Sequence, residues 1–190
     1  MKNQDVLKLT MVAPDDDWFL AQSTAAAGSA TSFSHTYMPF GPAKIALKLD
    51  SATATTVTIK YYRADEDPEY EYEEDIEVDS ADVYYTTYAA TKLTSVAWTL
   101  VAGATLDVGF QETQYIYYPG ISHNQILGAT FQPVNGDEIL VVQDWSVGSE
   151  GTPADDTVVY DNDCQCFAIN YPVDGSSANE NGTVFVTYEA

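Results

Sequence analysis

The chain has 190 residues, 45% of them hydrophobic, and 29 acidic side chains against seven basic ones, a formal net charge of -22. That apolar content supplies a core and excludes a disordered acidic tail. The charge excludes nucleic acid and anionic lipid as partners, because both are held by Lys and Arg that displace counterions.

The imbalance runs the length of the chain. Residues 1–92 hold seven bases and sixteen acids, a net of -9; residues 93–190 hold thirteen acids and no base, a net of -13. Ion pairing within the second half is therefore ruled out by composition. The single arginine, Arg63, is too little for a phosphate or carboxylate clamp of any size.

In chain order, the opening "MKNQDVLKLTMVAPDDDWFL" has no apolar run of signal-peptide length and no small-residue cleavage site. The expectation is synthesis in the cytoplasm without a signal peptide. No window approaches eighteen apolar residues, so no membrane insertion is expected. Strand-like runs rich in Thr, Val, Ile and Tyr follow at 6–12, 32–38, 45–49, 55–62, 70–78, 83–89 and 96–101. Further runs lie at 105–110, 114–118, 126–132, 138–144, 157–160, 164–171 and 183–188. These residues suit a pleated, half-buried surface, and Gly, Pro and Asn signals such as "FGPA" and "DGSSANENG" separate them. The Ala-rich segment 23–30 is small and broken by Gly28, which predicts a loop. Many short strands and no convincing helix predict one all-β domain over 1–190, a barrel or β-sandwich.

The stretch "EYEYEEDIEV" (69–78) alternates. One parity carries Tyr70, Tyr72, Glu74, Ile76 and Val78; the other carries Glu69, Glu71, Glu73, Asp75, Glu77 and then Asp79. The pattern predicts a strand with a buried side and a line of carboxylates on the other. Such neighbours stand about 6.6 Å apart and repel by about 0.6 kcal/mol in unscreened water. About half of that survives at 0.1 M salt and about a tenth near 1 M. Three readings compete: an acid-coated surface in a high-salt cytoplasm, local binding of divalent cations, or an acidic surface of a mesophile or phage without special meaning. A hard cation needs six to eight oxygens converging on a point, and a strand face presents a line. Only the first reading accounts for the whole chain.

Chemistry-bearing motifs are sparse. His35 and His123 lie outside any metal-ligand spacing, and no nucleophile elbow or phosphate loop is present. The chain is therefore expected not to be an enzyme and to need no cofactor. Asp15–Asp17, Asp65–Asp67, Asp155–Asp156 and the pair Asp161 and Asp163 are acidic groupings that a cation could touch, and Asp161 and Asp163 are the named metal candidates. "DNDCQC" resembles the opening of an EF-hand loop but lacks its turn glycine and closing glutamate. Cys164 and Cys166, two apart on a strand, sit at the long edge of disulfide geometry; the alternatives are a buried thiol pair or a disulfide to another subunit. "NGT" at 181–183 fits a glycosylation sequon and also a turn into the last strand. Fourteen tyrosines, often in pairs along strands, place some rings outward, toward protein or sugar.

Size, β pattern, acidity and scarcity of Lys and Arg over the whole chain resemble the smaller major capsid protein of haloarchaeal icosahedral viruses with an internal membrane, the sphaerolipovirus type. The resemblance implies a single upright jelly roll, located in the virion. It also implies assembly with other copies and a larger sister capsid protein into capsomers, and intersubunit bridges there would suit Cys164 or Cys166. Two alternatives are carried beside it. One is a β-sandwich binding module of a halophile, for adhesion or virion decoration, recognising carbohydrate through exposed Tyr with Ca²⁺ at Asp161 and Asp163. The other is a β-sandwich hydrolase using paired carboxylates.

Overall fold

The computed structural model describes residues 2–23, 27–50, 55–66, 70–100, 104–111, 113–118, 126–135, 139–145, 156–161, 165–172 and 179–189. Among them every regular element is a strand. In chain order these are β1 (Lys2–Leu9), β2 (Asp15–Ser23), β3 (Ala27–Ala30), β4 (Ala46–Leu49), β5 (Thr55–Arg63), β6 (Glu71–Val78), β7 (Val83–Tyr85) and β8 (Ala90–Thr99). They continue as β9 (Leu106–Phe110), β10 (Gln114–Tyr117), β11 (Ile126–Pro133), β12 (Leu140–Val141), β13 (Gln143–Trp145), β14 (Thr157–Asp161), β15 (Cys166–Asn170) and β16 (Gly182–Glu189). The all-β expectation holds. The sheets are open, and none of the described strand orders closes into a barrel.

By its contacts the chain divides into two compact units. Unit 1 joins the chain ends, Met1–Pro14 with Glu112–Ala190, and unit 2 is Asp15–Gln111. Each contains two four-stranded sheets. Unit 1 has the orders β1-β16-β11-β12 and β10-β15-β14-β13; unit 2 has β2-β9-β4-β7 and β3-β8-β5-β6. Pairing is antiparallel throughout except between β13 and β14.

Alternation sets the core of each unit. In β5, Val57, Ile59 and Tyr61 are wholly buried, and Thr56, Thr58, Lys60 and Tyr62 point the other way. In β16, Val184 and Val186 are buried while Thr183, Phe185 and Thr187 are only half-covered. Every residue of β15 is buried, as expected of a central strand covered on both faces. Within unit 1, Phe131 of β11 meets Tyr171, just past β15, at 5.8 Å between ring centroids, and Tyr118, just past β10, donates to Asp5 of β1. The two sheets thus close over one another as a sandwich. In unit 2, Ala43, leading into β4, pairs with Ala90 of β8 through a backbone bridge, which joins its two sheets at that point.

Three local readings differ from the structure. The run 32–38 is not a strand; within it the Thr36 carbonyl accepts from Leu93 N–H at 3.0 Å. β2 forms despite three aspartates at its start, because Asp16 is taken up by Lys48 and the Gln111 amide. β3 forms in a segment expected to be a loop. Its Gly28 lies against the Trp98 ring of β8, where an added Cβ would stand 2.6 Å from a ring carbon. The small residues that weaken a propensity reading are there to permit that approach.

Candidate functional site

The acidic line is real and lies at a sheet edge. β6 is the outermost strand beyond β5. Its Glu71, Glu73, Asp75 and Glu77 are exposed, while Ile76 and Val78 are buried. Glu69 lies outside the described residues. Asp79 falls beyond the strand end, where the Tyr84 hydroxyl donates to it at 2.7 Å, and that bond holds its carboxyl below the ordinary value. The outward residues facing the four carboxylates across β5 are Tyr62, Lys60, Thr58 and Thr56, in register. Lys60 reaches Glu73 at 2.6 Å and the Thr58 hydroxyl donates to Asp75 at 2.6 Å. Among the described residues, one ammonium and one hydroxyl therefore serve four carboxylates. Charge along an edge also blocks strand addition by other chains.

Glu74 has a different task. It shares the inward parity, half-buried, and accepts from the Tyr61 hydroxyl at 2.7 Å, the Thr87 N–H at 3.0 Å and the Thr87 hydroxyl at 2.5 Å. Burial and this carboxylate push the Tyr61 phenol far above its usual range. Arg63, at the end of β5, forks onto Asp65 at 3.0 and 2.6 Å and reaches Glu66 at 2.9 Å. Its guanidinium lies 3.5 Å from the Tyr88 ring centroid and 5.3 Å from that of Tyr72. The only arginine is thus committed to two carboxylates and two ring faces of its own unit.

The other candidates separate. Cys166 is fully buried in β15, opposite Tyr117 on one side and Asp161 on the other. A sulfur there reaches no neighbouring molecule unless the sheet opens; Cys164 lies outside the described residues. Gln165 takes a left-handed φ of 54°, so the extended i, i+2 relation assumed for the two cysteines does not apply at that point. Asp161 ends β14, and Asp163 is outside the described residues. Asp16 and Asp65 are taken up by Lys48 and Arg63, and Asp67 and Asp155 are outside the described residues. Among the described residues no three of His, Cys, Asp and Glu are gathered as metal ligands, and no helix is long and apolar enough to cross a membrane. His123 is outside the described residues. His35 is exposed and stacks on Trp18 with centroids 3.7 Å apart, while the Trp18 indole N–H donates to Tyr37 O at 2.9 Å. Asn181 of the "NGT" sequence lies directly before β16, where its side chain accepts from Met11 N–H at 2.7 Å and its carbonyl from Val134 N–H at 2.8 Å.

What the arrangement can do chemically is hold water and cations loosely over an acid surface. Sequence alternation locates the line but misses the partners Lys60 and Thr58, which come from a neighbouring strand, and the enclosure of Arg63. Comparison with protein-family models, with curated proteins and with solved structures returns no match to this chain.

Proposed function

We propose that the chain is a structural, shell-building subunit of a virus whose host keeps molar salt in its cytoplasm. In this reading it packs with copies of itself and a larger sister capsid protein into capsomers of an icosahedral shell. The observation that carries the reading is the exposed line Glu71, Glu73, Asp75 and Glu77 with a single paired lysine, an arrangement whose repulsion nearly vanishes only near molar ionic strength. Charge balance supports it: unit 1 has thirteen acids and two bases and unit 2 sixteen and five, so each nets -11. The resemblance in size, acidity and β pattern supplies the capsid assignment. The test is mass spectrometry and electron microscopy of particles purified in high salt from the source culture. The chain is expected as an abundant, stoichiometric particle component. Its recovery solely outside particles would end the assignment.

A second reading, a carbohydrate-binding module, draws on the exposed Tyr37 beside the Trp18–His35 stack. It requires a thermal shift on addition of simple sugars or CaCl₂ that KCl of matched ionic strength does not reproduce.

A further inference from the structure

We infer that the outward face of the β1-β16-β11-β12 sheet is a self-association surface, on which a second copy of this chain docks with the same face. The inference deepens the shell-building reading and rests on it for its purpose.

Register places one residue from each of the four strands in a single row. Val6 is opposite Phe185, Phe185 opposite Thr130, and Thr130 opposite Val141. Directly opposed residues share a sheet face. The adjacent row, Leu7, Val184, Phe131 and Leu140, therefore points inward, and Val184 and Phe131 are fully buried. The outward row is open: Val6 is 47% exposed and Val141 72%. Ile139, two residues before Val141 and on the same parity, is 57% exposed. At about 4.8 Å between strands, the row is a stripe about 14 Å long, apolar but for Thr130.

The charge on this face is opposite in character to the rest of the molecule. Flanking the stripe are Gln4, Thr187 and Gly128 on one side and Lys8, Thr183 and Gln132 on the other. The carboxylate among the described residues of this face is Glu189, opposite Lys2. Lys2 and Lys8 are the only bases of unit 1, and both lie here. In a unit with a net charge of -11, the described residues of this face net +1. Two copies repel wherever acid meets acid, so this is where they can approach.

The face also fits itself. A two-fold axis parallel to the strands lays β1 of one copy over β12 of the other and β16 over β11. Val6 then meets Val141, the bulky Phe185 meets the smaller Thr130, and the lysine-bearing strand meets one without lysine. Such isologous contacts are the commonest form of self-association. Three strands of eight residues and one of two give a flat footprint of about 400 Å² per copy before side-chain relief. That is below the usual size of a stable pairwise interface, so the contact gains its strength by repetition in an assembly.

The test is sedimentation of the full chain in about 2 M KCl, where charge is screened beyond about 2–3 Å, over about 1–100 µM. Val6→Glu and Val141→Glu alter exposed positions, and a thermal melt of each shows whether it is folded. Wild type is expected to dimerise and each variant to weaken the dimer at least about tenfold. A mixture of Val6→Lys with Val141→Glu should dimerise again, because those positions face each other across the two-fold. A wild type that is monomeric throughout overturns the inference and removes self-assembly from the proposed function. A wild type that associates, with folded variants associating equally well, overturns the surface and leaves the assembly reading standing. Failure of the mixture to recover overturns the Val6–Val141 pairing.

Discussion

Asp5 and Tyr118 are 113 residues apart in sequence, and the tyrosine hydroxyl donates to the carboxylate at 2.7 Å. That bond is the main reason the Asp5 carboxyl is held below its ordinary value of 3.8. A carboxyl depressed in the folded state stabilises the fold fully above its ordinary value, and the contribution is lost as pH falls through the lower folded value. Tyr118→Phe should therefore be less stable than wild type near pH 6, with the gap closing as pH drops below about 4. Asp5 is exposed, so the difference should stay under about 1 kcal/mol. Denaturant midpoints at pH 6 and pH 3 in molar KCl check it; a constant gap across that range would assign the effect to packing of the ring. No pattern near Asp5 announces Tyr118. The local parity of β1 is legible, but the partner arrives from the far side of unit 2 in sequence.

At the scale of an element, β6 shows how far period-two reading extends. Alternation identifies the strand, its buried Ile76 and Val78 and its outward acids, because side-chain direction follows from backbone geometry alone. It does not show that β6 is an edge, nor that Glu74 on the inward parity is satisfied by Tyr61 and Thr87. The combined substitution Glu71→Gln, Glu73→Gln, Asp75→Asn and Glu77→Gln removes three same-face neighbour repulsions of about 0.3 kcal/mol each at 0.1 M salt. The variant should gain about 1 kcal/mol in dilute buffer. Near 2 M KCl it should gain nothing and lose slightly through the missing Lys60–Glu73 pair. Unfolding curves at the two salt concentrations read this directly, and a gain that persists undiminished in 2 M KCl would refute repulsion as the cause. With its edge neutralised, the same variant should also aggregate more readily through β6.

For the whole molecule, a net charge of -22 makes dilute buffer a destabilising solvent. Raising KCl from about 0.1 to 2 M should recover a few kcal/mol of screened repulsion. At about 2–4 °C per kcal/mol for a chain of this size, the thermal midpoint should rise by roughly 10 °C. Lowering pH in dilute buffer should act in the same direction at a carboxyl held above its ordinary value. Asp15 is one such group, its carboxyl raised by burial and by neighbouring Asp17, so its ionisation opposes folding and protonation relieves it. A midpoint indifferent to KCl would remove the high-salt reading, and the viral assignment with it.

What could be read from the residues alone was whatever depends on near neighbours in the chain: strand character, the inward and outward sides of 71–78, and the excess of acid. Peptide geometry and side-chain alternation decide these before any segment meets another. The tertiary structure alone decided the division into two units, the pairing of the first strand with the last, the burial of Cys166 and the commitment of Arg63. It also assembled Val6, Phe185, Thr130 and Val141 into one row. Each of these depends on which distant segments become neighbours, and that choice is made by the joint burial of two sheets' apolar faces, a property no single stretch of sequence carries.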